Sequence, residues 1–377
     1  MKIVLFIRSL NIGGAERQLL LLAESLSLKH EVIILTFYSQ FEYEINDRLN
    51  YRVISLEKKG RWNFIGFIFS FIKFLRRERP DYIYSYMGAA SIVAVISKLV
   101  DRNIVLAWGL RSSNMDLALY TKMDEAIRWL EVKLSRFSNL IISNSNSGRL
   151  QAIREGFNSR NFSVVHNGID TEKFKPNSGE RESMRNRLGI SLGARVIGIV
   201  ARHDPMKGLE YFIHAASEYV NNHDPEACFV VVGDGNAEYS NKLRDLAEKA
   251  GLKNHIVWAG KQTDVSSFYN LFDVYTSTSI YGEGFSNSIG EAMSSGVPCV
   301  VTDVGDSAYV LGDGGVVVAP RSISELCSAW HKIFSMSPKD YQQLSDYSRK
   351  RVVSEFSVER MVASTERLFL KEANSAC

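Results

Sequence analysis

The sequence predicts two doubly wound α/β domains in tandem, on three observations. Short β-rich apolar runs alternate with helical stretches almost from end to end, the pattern of parallel α/β units. A polar connector, "NGIDTEKFKPNSGE" (167–180), interrupts the alternation, and the pattern restarts after it. A chain of 377 residues is also too long for one ordinary core and suits two. Before the connector the strand candidates are "KIVLFI", "EVIILTF", "YRVISL", "DYIYSYM", "NIVLAWG", "NLIISNS" and "FSVVHN". Helix candidates lie between most of them, such as "AERQLLLLAESL", with leucines at helical spacing. After the connector come "RVIGIVA", "CFVVVGD", "HIVWAG", "DVYTSTS", "PCVVTDV" and "GVVVAP". Beyond about residue 337 the tail reads as helices only. The domains join near residue 170, as 1–170 and 171–356. In such sheets ligands sit beyond the C-terminal ends of the strands, and between paired domains the cleft is the default site.

Composition narrows the class. The chain is 45% hydrophobic and 23% charged, without low-complexity tracts. With 45 basic against 42 acidic residues the net charge is +3, which gives a nucleic-acid partner no support. The four cysteines, Cys228, Cys299, Cys327 and Cys377, are scattered and form no CxxC pair. That argues for a reduced compartment and against zinc. The opening "MKIVLFIRSLN" has a five-residue apolar run and no small-residue cleavage site, so it reads as a buried strand. A cytoplasmic protein is expected.

One stretch keeps two readings. "KKGRWNFIGFIFSFIKFLRRERP" (58–80) is basic at both ends and aromatic between, and too short to span a bilayer. It reads as a crossover helix buried on a sheet, or as a helix at the cytosolic membrane surface with Trp62 and Phe67 toward lipid. Both hold at once if one face packs and the other dips.

The chemistry-bearing motifs sit at strand ends. "RSLNIGGAERQ" follows the first strand, and Gly13-Gly14 leaves the backbone bare at a helix N-terminus. A phosphate or sugar oxygen can approach there, or the glycines serve only a tight turn. The GxGxxG fingerprint is absent, and the second strand ends "LTFYS" without an acid for a ribose. No Walker A sequence occurs. In "ARHDPMKG" (201–208), after the strand "RVIGIVA", Arg202 offers a planar fork and Lys207 a point charge, suited to two adjacent phosphates.

"EGFSNSIGE" (283–291) raises a puzzle, because a helix N-terminus suited to an anion is flanked by Glu283 and Glu291. A ligand alternating ribose, pyrophosphate and hexose resolves it. The cations and the helix end take the pyrophosphate, Glu291 accepts from a ribose diol, and Glu283 accepts from hydroxyls of the sugar. No Asp-X-Asp occurs, and the seven histidines lack metal spacing. A metal-free mechanism is therefore expected, with Arg, Lys and helix dipoles offsetting the leaving diphosphate.

At these residues the chain resembles the retaining GT-B glycosyltransferases of family 4 over nearly its whole length. The markers are "GGAERQ", "VHNGIDTEKFKP", "RHDPMKG" and "EGFSNSIGEAMSSGVPCVVTDVGD", the last carrying the family's E-x7-E element. The resemblance implies two Rossmann-like domains facing a cleft, with the final helix, 357–377, crossing back to the first. It implies a nucleotide-diphosphate sugar, UDP- or GDP-linked, held by the second domain, and a glycan or lipid-linked acceptor held by the first. Arg202 and Lys207 would lie on the diphosphate, and Gly284, Phe285, Ser286 and Asn287 at the sugar and phosphates. Glu283 would lie at the sugar, Glu291 at the ribose, and Gly13 and Gly14 would belong to the donor-binding set. No cofactor and no metal are implied.

The chain also departs from the family. Where many members carry a histidine beside the donor sugar, "AWGLRSSN" offers Arg111 or its neighbours. The family's frequent His-x-His is "YSY" here, Tyr84 and Tyr86, read as core and cleft wall; His166 reads as a hinge residue. The implied reaction is transfer in cell-surface polysaccharide synthesis, with Glu283 orienting the sugar rather than attacking it. A sugar-nucleotide 2-epimerase of the same fold, or a non-catalytic nucleotide-sugar-binding subunit, is the alternative.

Overall fold

The computed structural model describes residues 1–11, 13–39, 41, 50–60, 63–111 and 122–376; Trp62 lies outside them. The chain divides into two compact units, Met1–Gly168 with Val358–Cys377, and Ile169–Ser357. The division falls two residues before the boundary read from the connector.

The first unit runs β1 (Lys2–Ile7), α1 (Gly14–Leu26), β2 (Glu31–Thr36), β3 (Arg52–Ser55), α2 (Phe64–Glu78), β4 (Tyr82–Tyr86), α3 (Gly88–Ala94), α4 (Ser97–Val100), β5 (Val105–Leu110), α5 (Lys122–Leu134), β6 (Leu140–Ser143), α6 (Asn146–Arg154) and β7 (Phe162–Val164). The described strands form a parallel sheet in the order β3-β2-β1-β4-β5-β6-β7. Ile3, Val4, Leu5, Phe6 and Ile7 are all fully buried, because β1 lies mid-sheet with helices on both faces. An apolar run without alternation is what that position requires.

Helix α2 shows how a sequence apolar nearly all round still has two sides. Phe67, Phe71, Phe74 and Leu75 recur at helical spacing and bury against the sheet with Phe6 and Phe37. Phe64, Ile65 and Phe69 face outward, at 54%, 75% and 68% exposure. Phe67 is therefore core, at 3% exposure, and its expected place toward lipid is corrected. The 3.6-residue repeat puts Phe67 on the same stripe as Phe71 and Phe74, and that stripe faces the sheet.

The second unit runs α7 (Ser178–Arg187), β8 (Val196–Val200), α8 (Leu209–Asn222), β9 (Cys228–Val232), α9 (Ala237–Lys249), β10 (Ile256–Gly260), α10 (Ser266–Leu271), β11 (Val274–Ser277), α11 (Asn287–Ser294), β12 (Cys299–Thr302), α12 (Ser307–Leu311), β13 (Gly315–Val318), α13 (Ile323–Phe334) and α14 (Pro338–Glu355). Its sheet is parallel in the order β10-β9-β8-β11-β12-β13. Each strand run predicted from the sequence is a strand, so both units are doubly wound α/β sheets. Cys228, Cys299 and Cys327 are unbridged. Burial pushes their thiols up, to about 11 for Cys228 and about 12 for Cys327, far from a reactive thiolate.

The last helix, α15 (Val358–Ala376), belongs to the first unit. Its Phe369 stacks on Tyr82, and its backbone carbonyl accepts a 3.0 Å hydrogen bond from the Tyr82 hydroxyl. Glu366 pairs with His30 at 2.8 Å. Gln18, buried in α1, exchanges two 2.8 Å hydrogen bonds with the backbone of Gly168 at the end of the unit. The glutamine of "GGAERQ" thus holds the chain where the unit ends.

Candidate active site

In the second unit the strand order reverses between β8 and β11, the crevice where open α/β sheets take ligands. Strand β8 leads into the loop carrying Arg202 and Lys207, and β11 into the loop carrying Ser279 and Glu283. The first loop is built by its own sequence. Asp204 accepts from the Met206 amide at 3.0 Å, Pro205 opens a 3₁₀ turn, and Gly208 closes it at φ +61°. Gly208 is required twice over, since a Cβ there would also meet the Thr278 carbonyl oxygen at 2.3 Å. The Thr278 hydroxyl donates to the Lys207 carbonyl at 2.8 Å, and the Ile280 amide to that of Met206 at 2.9 Å. The two loops are therefore one rigid piece.

Lys207 forms an ion pair with Glu283 Oε1, and the Ser279 hydroxyl donates to the same oxygen at 2.6 Å. Burial alone would raise the Glu283 carboxyl. The charge and hydrogen bond of Lys207, helped by Ser279 and the charge of Arg202, outweigh it and hold the carboxyl below the usual range. Glu283 is thus an anion at neutral pH although 6% exposed. Arg202 is 67% exposed and reaches Asp204 at 2.6 Å. The two cations expected at a diphosphate each rest on a carboxylate of the chain.

Helix α11 begins beside them. Its N-cap, Ser286, makes no side-chain capping bond, so the first turn is not closed by its own cap. The Tyr275 hydroxyl donates to Ser288 Oγ at 2.8 Å, and Ser286 and Ser288 lie 3.2 Å apart. Glu291, three residues along the same face, accepts from the Tyr269 hydroxyl through Oε2 at 2.8 Å. The Gly284 carbonyl accepts from the Asp306 amide at 3.1 Å, and Phe285 packs on Phe356. Between these loops lies a cavity of about 10 Å³, room for roughly one water, lined by Lys207, Tyr275, Ser277, Thr278, Ser279 and Ser288. The second unit thus brings together Arg202, Lys207, Glu283, Gly284, Phe285, Ser286, Asn287 and Glu291.

Gly13, Gly14 and Arg111 belong to the first unit. Gly13 is extended (φ −164°), and Glu16 folds back over it, so that a Cβ at Gly13 would meet Glu16 Oε2 at 2.3 Å. Burial raises the Glu16 carboxyl, opposed by a hydrogen bond from its own amide. The first turn of α1 therefore already holds a carboxylate of the chain. Arg111 follows β5, donates to Tyr84 Oη at 2.7 Å and to Asn167 Oδ1 at 3.2 Å, and lies 4.1 Å over the Tyr86 ring. Tyr84 and Tyr86, read as core and cleft wall, are the buried platform for this guanidinium. Its sequence neighbours Ser112, Ser113 and Asn114 lie outside the described residues.

Sequence reasoning missed Asp204, Ser279, Tyr269, Tyr275 and Ser288. The Asp-Pro pair at 204–205 was a legible cap signal. Ser279 and Tyr269 carried none, because their roles come from packing between elements.

Known proteins share the fold and the sequence pattern of this chain. Residues 12–173 match the family model described as Glycosyltransferase Family 4, and residues 180–351 that described as Glycosyl transferases group 1. The chain is 24% identical over 308 residues to an Escherichia coli UDP-Gal:alpha-D-GlcNAc-diphosphoundecaprenol alpha-1,3-galactosyltransferase, covering 80% of this chain and 78% of that protein. It is 26% identical over 208 residues to the lipopolysaccharide core biosynthesis mannosyltransferase LpsB of Rhizobium meliloti, covering 53% of this chain and only 56% of that protein. Among solved structures, Anabaena HepE in complex with UDP-glucose is similar with a TM-score of 0.87 at 21% identity, covering 98% of this chain and 100% of that one. A Rickettsia africae glycosyltransferase is similar at 0.82 and 17%, covering 98% of each. With both halves matched and the fold shared, the chain belongs to the family 4 glycosyltransferases, sugar-transferring enzymes of the GT-B fold.

Proposed function

We propose that this enzyme transfers a hexose from a UDP-sugar to a lipid-linked glycan acceptor in cell-surface polysaccharide synthesis, with retention of configuration and without a metal. One observation carries the reading. Arg202, Lys207 and the α11 N-terminus gather at the strand switch of the second unit, with Glu283 and Glu291 to either side. The choice of UDP and of a lipid-linked acceptor is supported by the named relatives.

In this reading the diphosphate draws Arg202 away from Asp204, while Lys207 stays paired with Glu283 and turns its remaining N–H donors to the phosphates. The acceptor hydroxyl attacks C1 on the face from which the diphosphate departs. The bond from C1 to the phosphate oxygen breaks, the bond to the acceptor oxygen forms, and the hydroxyl proton passes to the departing phosphate. Lys207 and Arg202 offset the charge that develops there, in place of a metal. Glu283, kept ionised by Lys207, orients sugar hydroxyls. Arg111, Gly13 and Gly14 keep the sugar- and donor-binding roles that the family resemblance implies for them.

The test is thermal unfolding with UDP, GDP, ADP and TDP. A nucleotide at about 100 times its Kd is expected to stabilise the fold by about 2.7 kcal/mol. UDP alone is expected to do so, and Arg202→Ala and Glu291→Ala to lose the effect. No shift with any nucleotide would sink the donor site.

We further propose a peripheral position on an anionic membrane surface. No helix among the described residues is long and apolar enough to cross a membrane. The outward side of α2, however, joins exposed Phe64, Ile65 and Phe69 to Lys73, Arg76 and Arg77. Serine at 64, 65 and 69 together is expected to abolish sedimentation with vesicles containing anionic lipid. Unchanged sedimentation would exclude this face.

A further inference from the structure

We infer that Tyr269 is a positioning residue for Glu291 and, through it, sets the enzyme's preference for a nucleotide with ribose hydroxyls. The inference rests on the donor-site reading above and names a group that neither the sequence motifs nor the named relatives assign.

Glu291 is 2% exposed, and Tyr269 is fully buried beneath it on α10. The tyrosine hydroxyl donates to Oε2 at 2.8 Å. Taking a carboxylate out of water is costly unless it is well solvated by donors, so a carboxylate kept this deep needs them. Tyr269, one such donor, is held by the rings around it. The Tyr269 ring is held edge-on by Phe174 at 5.8 Å and Phe272 at 6.1 Å, and lies 5.8 Å from Tyr275. Tyr275 in turn holds Ser288, one turn before Glu291 on the same side of α11.

Two buried tyrosines thus fix the ligand end of α11, and one sets the plane of its carboxylate. A carboxylate discriminates a diol from its deoxy analogue only if its oxygens are already aimed, since a swinging group loses the gain to ordering. A hydrogen bond to a charged group contributes more than a neutral one, and losing its orientation should appear as lost selectivity.

The experiment compares UDP with 2′,3′-dideoxy-UDP by calorimetric titration. Wild type is expected to prefer UDP by about tenfold, the usual scale for a charged hydrogen bond. Tyr269→Phe keeps the ring contacts and is expected to cut that preference to about twofold by weakening UDP alone. Equal weakening of both nucleotides would mean a merely structural tyrosine and overturn the inference. Glu291→Gln still accepts from Tyr269 and is expected to keep about three times the preference of Glu291→Leu, which cannot. Equal preferences in that pair overturn the inference even if Tyr269→Phe fails to fold. A wild type that binds UDP and the dideoxy analogue alike sinks the ribose role and leaves the donor site standing. A wild type that binds neither sinks both.

Discussion

Replacing Lys207 by alanine is expected to lower kcat/KM by about 1,000-fold, the scale of losing one preorganised charge beside a developing anion. Two losses combine. On the proposed mechanism the departing diphosphate loses one of its two cations, and Glu283, 6% exposed, loses the partner that keeps it ionised. Burial then raises the Glu283 carboxyl, and a protonated acid orients sugar hydroxyls poorly. A Lys207→Ala, Glu283→Gln double variant should therefore be little worse than Lys207→Ala alone, because the pair acts as a unit. Arg202→Ala should cost less, since Arg202 is 67% exposed and works against water. Steady-state rates checked across these variants decide the matter. Lys207→Ala within threefold of wild type would remove the lysine from the chemistry.

Replacing Arg185 by alanine is expected to destabilise the second unit by about 3 kcal/mol, the upper scale for losing charged hydrogen bonds, since Asp273 keeps Arg181 as a partner. The side chain is 1% exposed, and desolvation lowers its pKa against the pull of Asp273. Through Nη1 it donates to the carbonyls of Ser191, Leu192 and Ala194 at 2.7–2.9 Å, and through Nη2 to Asp273 at 3.0 Å. Asp273 also accepts from Arg181 and, at 2.7 Å, from the Val196 amide. These bonds pin the starts of β8 and β11, whose far ends carry Lys207 and Glu283. For a unit of this size the loss corresponds to a fall in Tm of roughly 10 °C. Scanning calorimetry measures it, and a fall under about 2 °C would show that the network contributes little.

How much of this was legible follows from where each signal lives. Strands in a sheet covered on both faces must be apolar throughout, so "KIVLFI" and "RVIGIV" announced themselves. "EGFSNSIGE" was legible because a loop-to-helix junction needs small residues in a fixed order. The split of α2 was present in the spacing of Phe67, Phe71 and Phe74, and aromatic content alone led to the wrong face. Tyr269 and Ser279 stayed silent for another reason. A tyrosine 22 residues before Glu291 carries no local mark of the hydrogen bond it makes, which arises only when α10 and α11 pack. The pairing of Lys207 with Glu283 is likewise tertiary, since 76 residues separate them.

The most direct test of the central claim follows a labelled hexose from its UDP-sugar to lipid-linked acceptor, with EDTA present, and assigns the anomeric configuration of the product by NMR. The predicted result is a glycoside of the donor's own configuration, formed at the same rate with and without EDTA. An inverted product or a rate abolished by EDTA would contradict it, as would isomerised nucleotide-sugar formed without acceptor.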